Sequence, residues 1–349
     1  MDCGDSRALA ISFFSSKANT KLVYPDPGLR PSEFVRTIVQ LAETEYDAVL
    51  PVSYESCVSL ARLAPNLTKA MLPTIESMEI ASDKGKTTKL AAELKVPTPK
   101  TIAVSDMQSL EQAARSLGFP FFLKNTLGSG QNLVIHSEPE MRGVANKLFS
   151  SWGQNLIAQE RLTGDGYGFF ALFNHGSLRA YFMHRRIREA YENGGPSTCA
   201  ESCFDPMLKQ YGIRILQTLN WHGVAMAEFK RAKDGEYKLL EINPKFWGSL
   251  DLAIAAGVNF PELVVECITK GDCKMVDEYS RNVRFQWPIP DDLLRLAWGG
   301  YGMKGVIRDL ANPRVKKNLT IHDPGPALIQ LIELGYLFGR TVRNRGRFV

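Results

Sequence analysis

The chain has 349 residues, 44% of them hydrophobic and 23% charged, a balance ordinary for a globular protein of two or three compact units. Its formal charge of +5 is small for this length, and the basic residues are dispersed except where Arg340, Arg343, Arg345 and Arg347 cluster, so no nucleic-acid surface is expected. No apolar run approaches 18 residues, and MDCGDSR has neither a basic n-region nor an apolar h-region, so neither a membrane span nor a signal peptide is expected. The six cysteines show no CxxC or zinc spacing, and reduced thiols in a cytoplasmic setting are expected.

Residues 8–80 read as a small α/β unit. ALAISFF reads as a strand, PSEFVRTIVQLAETE as an amphipathic helix, DAVLPVS as a buried strand and 54–64 as a further helix. From Asp83 a helix with LAAEL as its apolar stripe runs to VPTP at 96–99, where proline ends it. TIAV predicts a strand, MQSLEQAARSLG a helix and GFPFFLK a strand. Beyond Lys124 the pattern becomes antiparallel β. NTLGSGQN joins FFLK to LVIH as a hairpin, and LIAQERL and GYGFFALFNHGSLRAYFMHRRIREA follow. Next come a loop through Gly194–Thr198, a helix at 205–219, a second hairpin, the helix PELVVECITKG and a C-terminal extension ending in helical LIQLIELGYLFGRTV.

The second hairpin, GVAMAEFKRAKDGEYKLLEINPKFWGSL, carries the strongest chemical signal. Asp234-Gly235 suits a two-residue type I′ turn, which pairs residues whose numbers sum to 469. Glu228 then lies opposite Glu241, and Met226 opposite Asn243. Alternation puts Tyr237, Leu239, Glu241 and Asn243 on one face. Two carboxylates and an amide oxygen thereby converge within about 5–8 Å. Like charges directly opposite destabilise a sheet, so a cation is expected between them, and hard oxygen ligands suit Mg²⁺ shared with phosphate. The plain alternative is a solvated Glu228 on an edge strand and a Glu241 that caps a turn.

Other residues fit phosphate chemistry. Lys84 and Lys124 can neutralise phosphate oxygens, and the loop at Gly128, Ser129 and Gly130 can approach them closely. No GxxxxGK[ST] is present. On a strand, His184, Arg186 and Arg188 share a face able to bind a carboxylate or a transferring phosphoryl group. His184 alone reads more readily as a structural residue. Ser197 and Thr198 either donate to phosphate or cap a turn, and Phe246 and Trp247 read as packing.

In order and spacing, SDKGKTTKLAAELKVPTP, GFPFFLKNTLGSGQNLVI, LIAQERLTGDGYG, HRRIREAYENGGPST and AEF…LLEINPKFWGSLDLAIAAGVNFP resemble the ATP-grasp superfamily. The likeness is to its carboxylate–amine/thiol ligase branch and to a group of predicted ATP-grasp carboligases. It implies an α/β (α+β) ATP-grasp fold, with a shortened Rossmann-like unit at 1–82, two lobes at 83–160 and 161–280, and an extension at 281–349. It also implies that Gln159, Glu160 and Leu162 line the adenine and ribose, beside Lys84, Lys124, Gly128, Ser129 and Gly130 on the phosphates. Glu228, Glu241 and Asn243 would hold one or two Mg²⁺, with Mn²⁺ as the alternative ion. Arg186, Arg188 and Lys245 would stabilise the transferred phosphoryl group or the substrate carboxylate. Many relatives have arginine where Lys245 stands, so its oxyanion contact is a departure. The implied reaction activates a small-molecule carboxylate as an acyl phosphate, for attack by an amine or, second, a thiol. A carbamoyl-phosphate-type or small-molecule kinase reaction and a non-catalytic ATP-binding regulatory subunit stay open. A homo-oligomer is compatible with the shortened front unit.

Overall fold

The computed structural model describes residues 1–127, 132–152, 155–191, 194–299 and 302–345. The N-terminal region holds two short parallel strands, β1 (Cys3–Asp5) and β2 (Lys21–Val23), followed by helices α1 (Pro31–Thr44), α2 (Tyr54–Leu63) and α3 (Ile75–Ser82). The two strands expected in this region do not form. ALAISFF has no neighbouring strand to pair with and instead makes a 3₁₀ turn, Ile11–Phe14, that buries Phe13. DAVLPVS lacks a regular partner: Pro51 removes one donor, and Val49 N donates to Lys69 O across a loop.

A small lobe follows. Asp83 caps α4 (Lys84–Glu93) by accepting from Lys86 N at 2.9 Å. Then come β3 (Thr101–Val104), α5 (Met107–Leu117), β4 (Phe121–Asn125), β5 (Asn132–Ile135), α6 (Glu138–Trp152) and β6 (Leu156–Glu160). The four strands make an antiparallel sheet in the order β3-β6-β4-β5, with Leu110, Phe121, Leu123 and Ala158 in its core. The predicted β4–β5 hairpin is present, Lys124 pairing with Asn132.

The larger sheet has the order β11-β10-β7-β8-β9-β12-β13. Its members are β7 (Asp165–Asn174), β8 (Ser177–Tyr191), β9 (Gly194–Ser202), β10 (Gly223–Arg231), β11 (Tyr237–Asn243), β12 (Arg284–Gln286) and β13 (Lys316–Lys317). Helices α7 (Pro206–Thr218), α8 (Leu250–Ala256), α9 (Phe260–Lys270), α10 (Leu293–Gly299), α11 (Met303–Ala311) and α12 (Gly325–Arg345) complete the chain. Both faces of the sheet's centre are covered. Phe170, Phe182 and Met226 meet Leu252, Phe260 and Val264 of α8 and α9, while Phe169, Met183 and Phe229 meet α7 and Ala91 of α4. Double coverage explains the continuous apolar run FFALF in β7. Because β12 and β13 belong to this sheet, the C-terminal segment is built into the larger lobe. No single described helix is long and apolar enough to cross a membrane.

Candidate active site between two sheets

The hairpin of β10 and β11 brings its glutamates together by two deviations that cancel. Near the turn the partners are Phe229–Leu239, Lys230–Lys238 and Arg231–Tyr237, one residue off the predicted register. Ala232 N donates to Glu236 O at 2.9 Å, so Lys233, Asp234 and Gly235 form a three-residue loop, with Gly235 at φ +88. A bulge at Leu240 then adds one residue to β11. Beyond it Glu228 stands opposite Glu241 and Met226 opposite Asn243, as predicted.

The facing of β11 differs from expectation. Tyr237 and Leu239 pack with Ile242 into the core under α4 and α7, so they do not share a face with Glu241 and Asn243. A period-2 strand without the bulge would have driven Glu241 into that core. The extra residue rotates Glu241 and Asn243 to the face occupied by Glu228 and Arg186.

Each carboxylate has a protein cation. Lys84 Nζ, at the first turn of α4, lies 3.3 Å from Glu241 Oε2, and Arg186 Nη2 lies 2.8 Å from Glu228 Oε2. Asn243 Nδ2 donates to Glu241 Oε1 at 3.0 Å. Burial pushes the Glu228 carboxyl above the usual carboxylate range against the pull of Arg186. Burial acts on Glu241 in the same sense, but Lys84, Asn243 and Lys124 together hold it below that range. Two like charges facing each other separate in this way when their cations differ in reach.

Lys124 enters from the other sheet. It is buried on β4, donates to Gln159 Oε1 at 2.8 Å and sits 4.9 Å from the centre of the Phe122 ring. Burial lowers its ammonium to about 8, with Glu241 opposing. Gln159 in turn donates to Thr101 Oγ1 at 2.9 Å. Glu160 Oε1 accepts from Lys100 N and from Lys238 Nζ, both at 3.0 Å, which ties the small sheet to β11. Leu162 is half-buried in the connection that leads to β7. Gly128, Ser129 and Gly130 lie outside the described residues.

Arg186 is buried and also donates to Glu189 Oε1 and Gly195 O, each at 3.0 Å. The remaining sequence candidates point elsewhere. His184 bonds Ser249 Oγ at 2.8 Å, has its ring centre 4.6 Å from that of Phe170 and is depressed to about 3 by burial, as a neutral structural residue would be. Arg188 is turned from Arg186 by irregular pairing with β9 and is buried against Asp292 and Asp309 of the C-terminal segment. The expectation that Arg188 shares the site with Arg186 is therefore corrected: two carboxylates already neutralise it. Lys245 lines a small cavity with Leu50, Cys57 and Met71, toward the N-terminal region, and its Nζ is 3.4 Å from Phe246 O. Thr198 is fully buried, and Phe246 and Trp247 are core residues.

Residues 153–288 match the family described as "ATP-grasp in the biosynthetic pathway with Ter operon". A carbamoyl phosphate synthase large chain of Thermoanaerobacter pseudethanolicus is 24% identical over 215 residues, 58% of this chain and 20% of that one. The biotin carboxylase of Campylobacter jejuni, solved as a βγ-ATP complex, superposes with a TM-score of 0.64 at 16% identity, covering 81% of this chain and 68% of that one. An L-amino acid ligase of Bacillus licheniformis gives 0.59 at 17% identity, covering 72% and 64%. This chain has the ATP-grasp fold. It spans only a fifth of the carbamoyl phosphate synthase chain it matches.

The candidate site includes residues that sequence reasoning missed. Glu189 orients Arg186, and Arg295 of α10 donates to Glu189 O, so the C-terminal segment reaches the site through two links. Lys238 alternates with core residues on β11 like any solvated lysine, and only the apposition of the two sheets reveals its bond to Glu160. The donor set fits Mg²⁺: Glu228 and Glu241 are hard oxygen ligands directly opposed, with Asn243 bonded to Glu241 beside them. Arg188 separates structural from chemical roles. Arg188→Ala leaves Asp292 buried without its cation and Asp309 with only Arg284 and Arg308, at 3.5 and 3.6 Å, and denaturant unfolding should show a loss of about 3–5 kcal/mol. A loss below about 1 kcal/mol would return Arg188 to the list of free cations.

Proposed function

We propose that this protein is an ATP-dependent carboxylate–amine ligase. The observation that carries the reading is the convergence of Lys84, Lys124 and Arg186 on the opposed pair Glu228 and Glu241, at the junction of two antiparallel sheets. Three cations facing two carboxylates form a receptor for a polyanion that brings its own divalent ion.

ATP phosphates would draw Lys84 and Arg186 from their carboxylates and add Lys124, whose buried ammonium has no carboxylate within salt-bridge distance among the described residues. Bound at Glu228, Glu241 and Asn243, Mg²⁺ would supply charge neutralisation to the phosphate oxygens. A substrate carboxylate oxygen attacks the γ-phosphorus, and the bond to the β–γ bridging oxygen breaks as ADP leaves. Arg186 stabilises charge on the moving phosphoryl group. The nitrogen lone pair of an amine then attacks the acyl carbon, and phosphate departs with the C–O electron pair. No side chain becomes covalently linked. Gln159 and the β6 backbone would line the base, as the sequence resemblance implies, while Glu160 is engaged by Lys238. The carbamoyl phosphate synthase relative favours a second reading, a carbamoyl-phosphate-type reaction at the same site. Six free thiols accord with a cytoplasmic setting.

ADP release screened over amino acids, small carboxylates and bicarbonate, each with and without amines, should identify a pair that accelerates turnover. Lys124→Ala or Glu241→Ala should cut that rate at least about a hundredfold with the melting temperature retained. Full turnover in either variant refutes the assignment. Because the Lys124 ammonium lies at about 8, nucleotide affinity should fall as pH rises through that value. Phosphate favours the protonated form, so ATP binding near pH 8 should take up a proton, measured as heat that varies with the ionisation enthalpy of the buffer. Lys124→Met should abolish that uptake.

A further inference from the structure

Forming an amide from an acyl phosphate has a proton requirement that the metal and phosphate contacts do not meet. An aliphatic amine enters at neutral pH as an ammonium ion, and its nitrogen attacks only after one proton has gone to a base. Of the remaining two protons, one stays in the amide and one leaves with phosphate. A carboxylate beside the acyl carbon, with an oxygen not already taken by a metal or a cation, would serve both to bind the ammonium and to take its first proton.

The carboxylates of the candidate site differ in what they have free. Glu241 accepts from Asn243 on Oε1 and faces Lys84 on Oε2. Glu228 faces Arg186 and stands opposite Glu241, so both belong to the metal in the reading above. Glu160 is tied to Lys100 N and Lys238 Nζ. Glu189 is different. Its Oε1 accepts from Arg186 Nη1 at 3.0 Å, its Oε2 has no partner among the described residues, and its side chain is 22% exposed. His184 on the same strand is buried, bonded to Ser249 and depressed to about 3, so it takes up no proton near neutrality.

Glu189 also stands in the right place. Arg186 reaches Glu228 Oε2 with Nη2 and Glu189 Oε1 with Nη1, so one guanidinium separates Glu189 from the proposed metal ligand. Gly166 lets both side chains lie against β7: a Cβ there would fall 2.7 Å from Arg186 Cδ and 3.2 Å from Glu189 Oε1. Arg295 donates to the Glu189 carbonyl and anchors its backbone.

We propose that Glu189 is the acceptor site: its free Oε2 receives the ammonium of the amine and takes the proton that releases the nitrogen lone pair. In this role Glu189 presupposes the ligase reading and narrows the acceptor to a cationic amine. A thiol would arrive with no positive charge for the carboxylate to bind. The proton passes from Glu189 to water after the amide has formed and phosphate has left.

The test supplies the native chain and Glu189→Gln with Mg-ATP and the acids of the ADP-release screen, once with hydroxylamine and once with the amines of that screen. Hydroxylamine is neutral near neutral pH, so it traps an acyl phosphate without an ammonium site or a base. The native chain should form both hydroxamate and amide. In Glu189→Gln the ratio of amide to hydroxamate should fall at least about a hundredfold, and Glu189→Asp should recover part of it. Both products come from the same folded molecules, so the ratio does not depend on the share that folds. An equal fall in both products assigns Glu189 to holding Arg186 alone, which overturns the proposal and leaves the ligase reading standing. Thioester formed in preference to amide also overturns it. No hydroxamate from the native chain with any acid removes the ligase reading and this role of Glu189 together.

Discussion

Two glutamates on neighbouring strands, Glu228 and Glu241, stand directly opposite one another, and most of the site is arranged to make that tolerable. Such a pair is destabilising unless positive charge is supplied. Here the supply comes from separate parts of the chain. Lys84 arrives from the start of α4, Arg186 from β8, and Lys124 from the second sheet. The requirement for neutrality thus positions the two sheets relative to each other, and Lys238 with Glu160 adds a contact that fixes β11 against β6. A phosphate-bearing ligand with its metal would meet the same electrostatic need, and on that ground the resting ion-pair network is proposed to double as a nucleotide receptor.

Much of this was legible in the sequence because it depends on local rules. The alternation of GVAMAEF and YKLLEIN with a turn between them predicts the hairpin, and the runs that became β7 and β8 predict antiparallel strands. The facing of Glu241 and Asn243 was not legible. It depends on a bulge at Leu240, which no residue type announces, and the register came out as predicted only because a longer loop offsets that bulge. ALAISFF and DAVLPVS misled for a related reason. Strand propensity needs a partner strand, and the fold provides none there.

The C-terminal segment was the least readable part, since its role rests on contacts between residues about a hundred positions apart. Arg188 looks like a catalytic arginine by spacing, yet Asp292 and Asp309 hold it in a buried network. Arg295 reaches Glu189, which orients Arg186, so the segment supports the site without entering it. Charge balance unites these observations. Buried arginines are each matched to carboxylates, and the cations left near the opposed glutamates are those a phosphate could recruit.

The central claim is that the opposed glutamates serve a metal bound together with nucleotide. Titration calorimetry of ATP, with and without Mg²⁺, into the native chain and Glu241→Gln addresses it without requiring the acceptor substrate. In the native chain Mg²⁺ should tighten ATP binding at least about tenfold, whereas Glu241→Gln should bind ATP about equally well under both conditions. If Glu241→Gln keeps the full Mg²⁺ effect, the hairpin is not the metal site and the account fails.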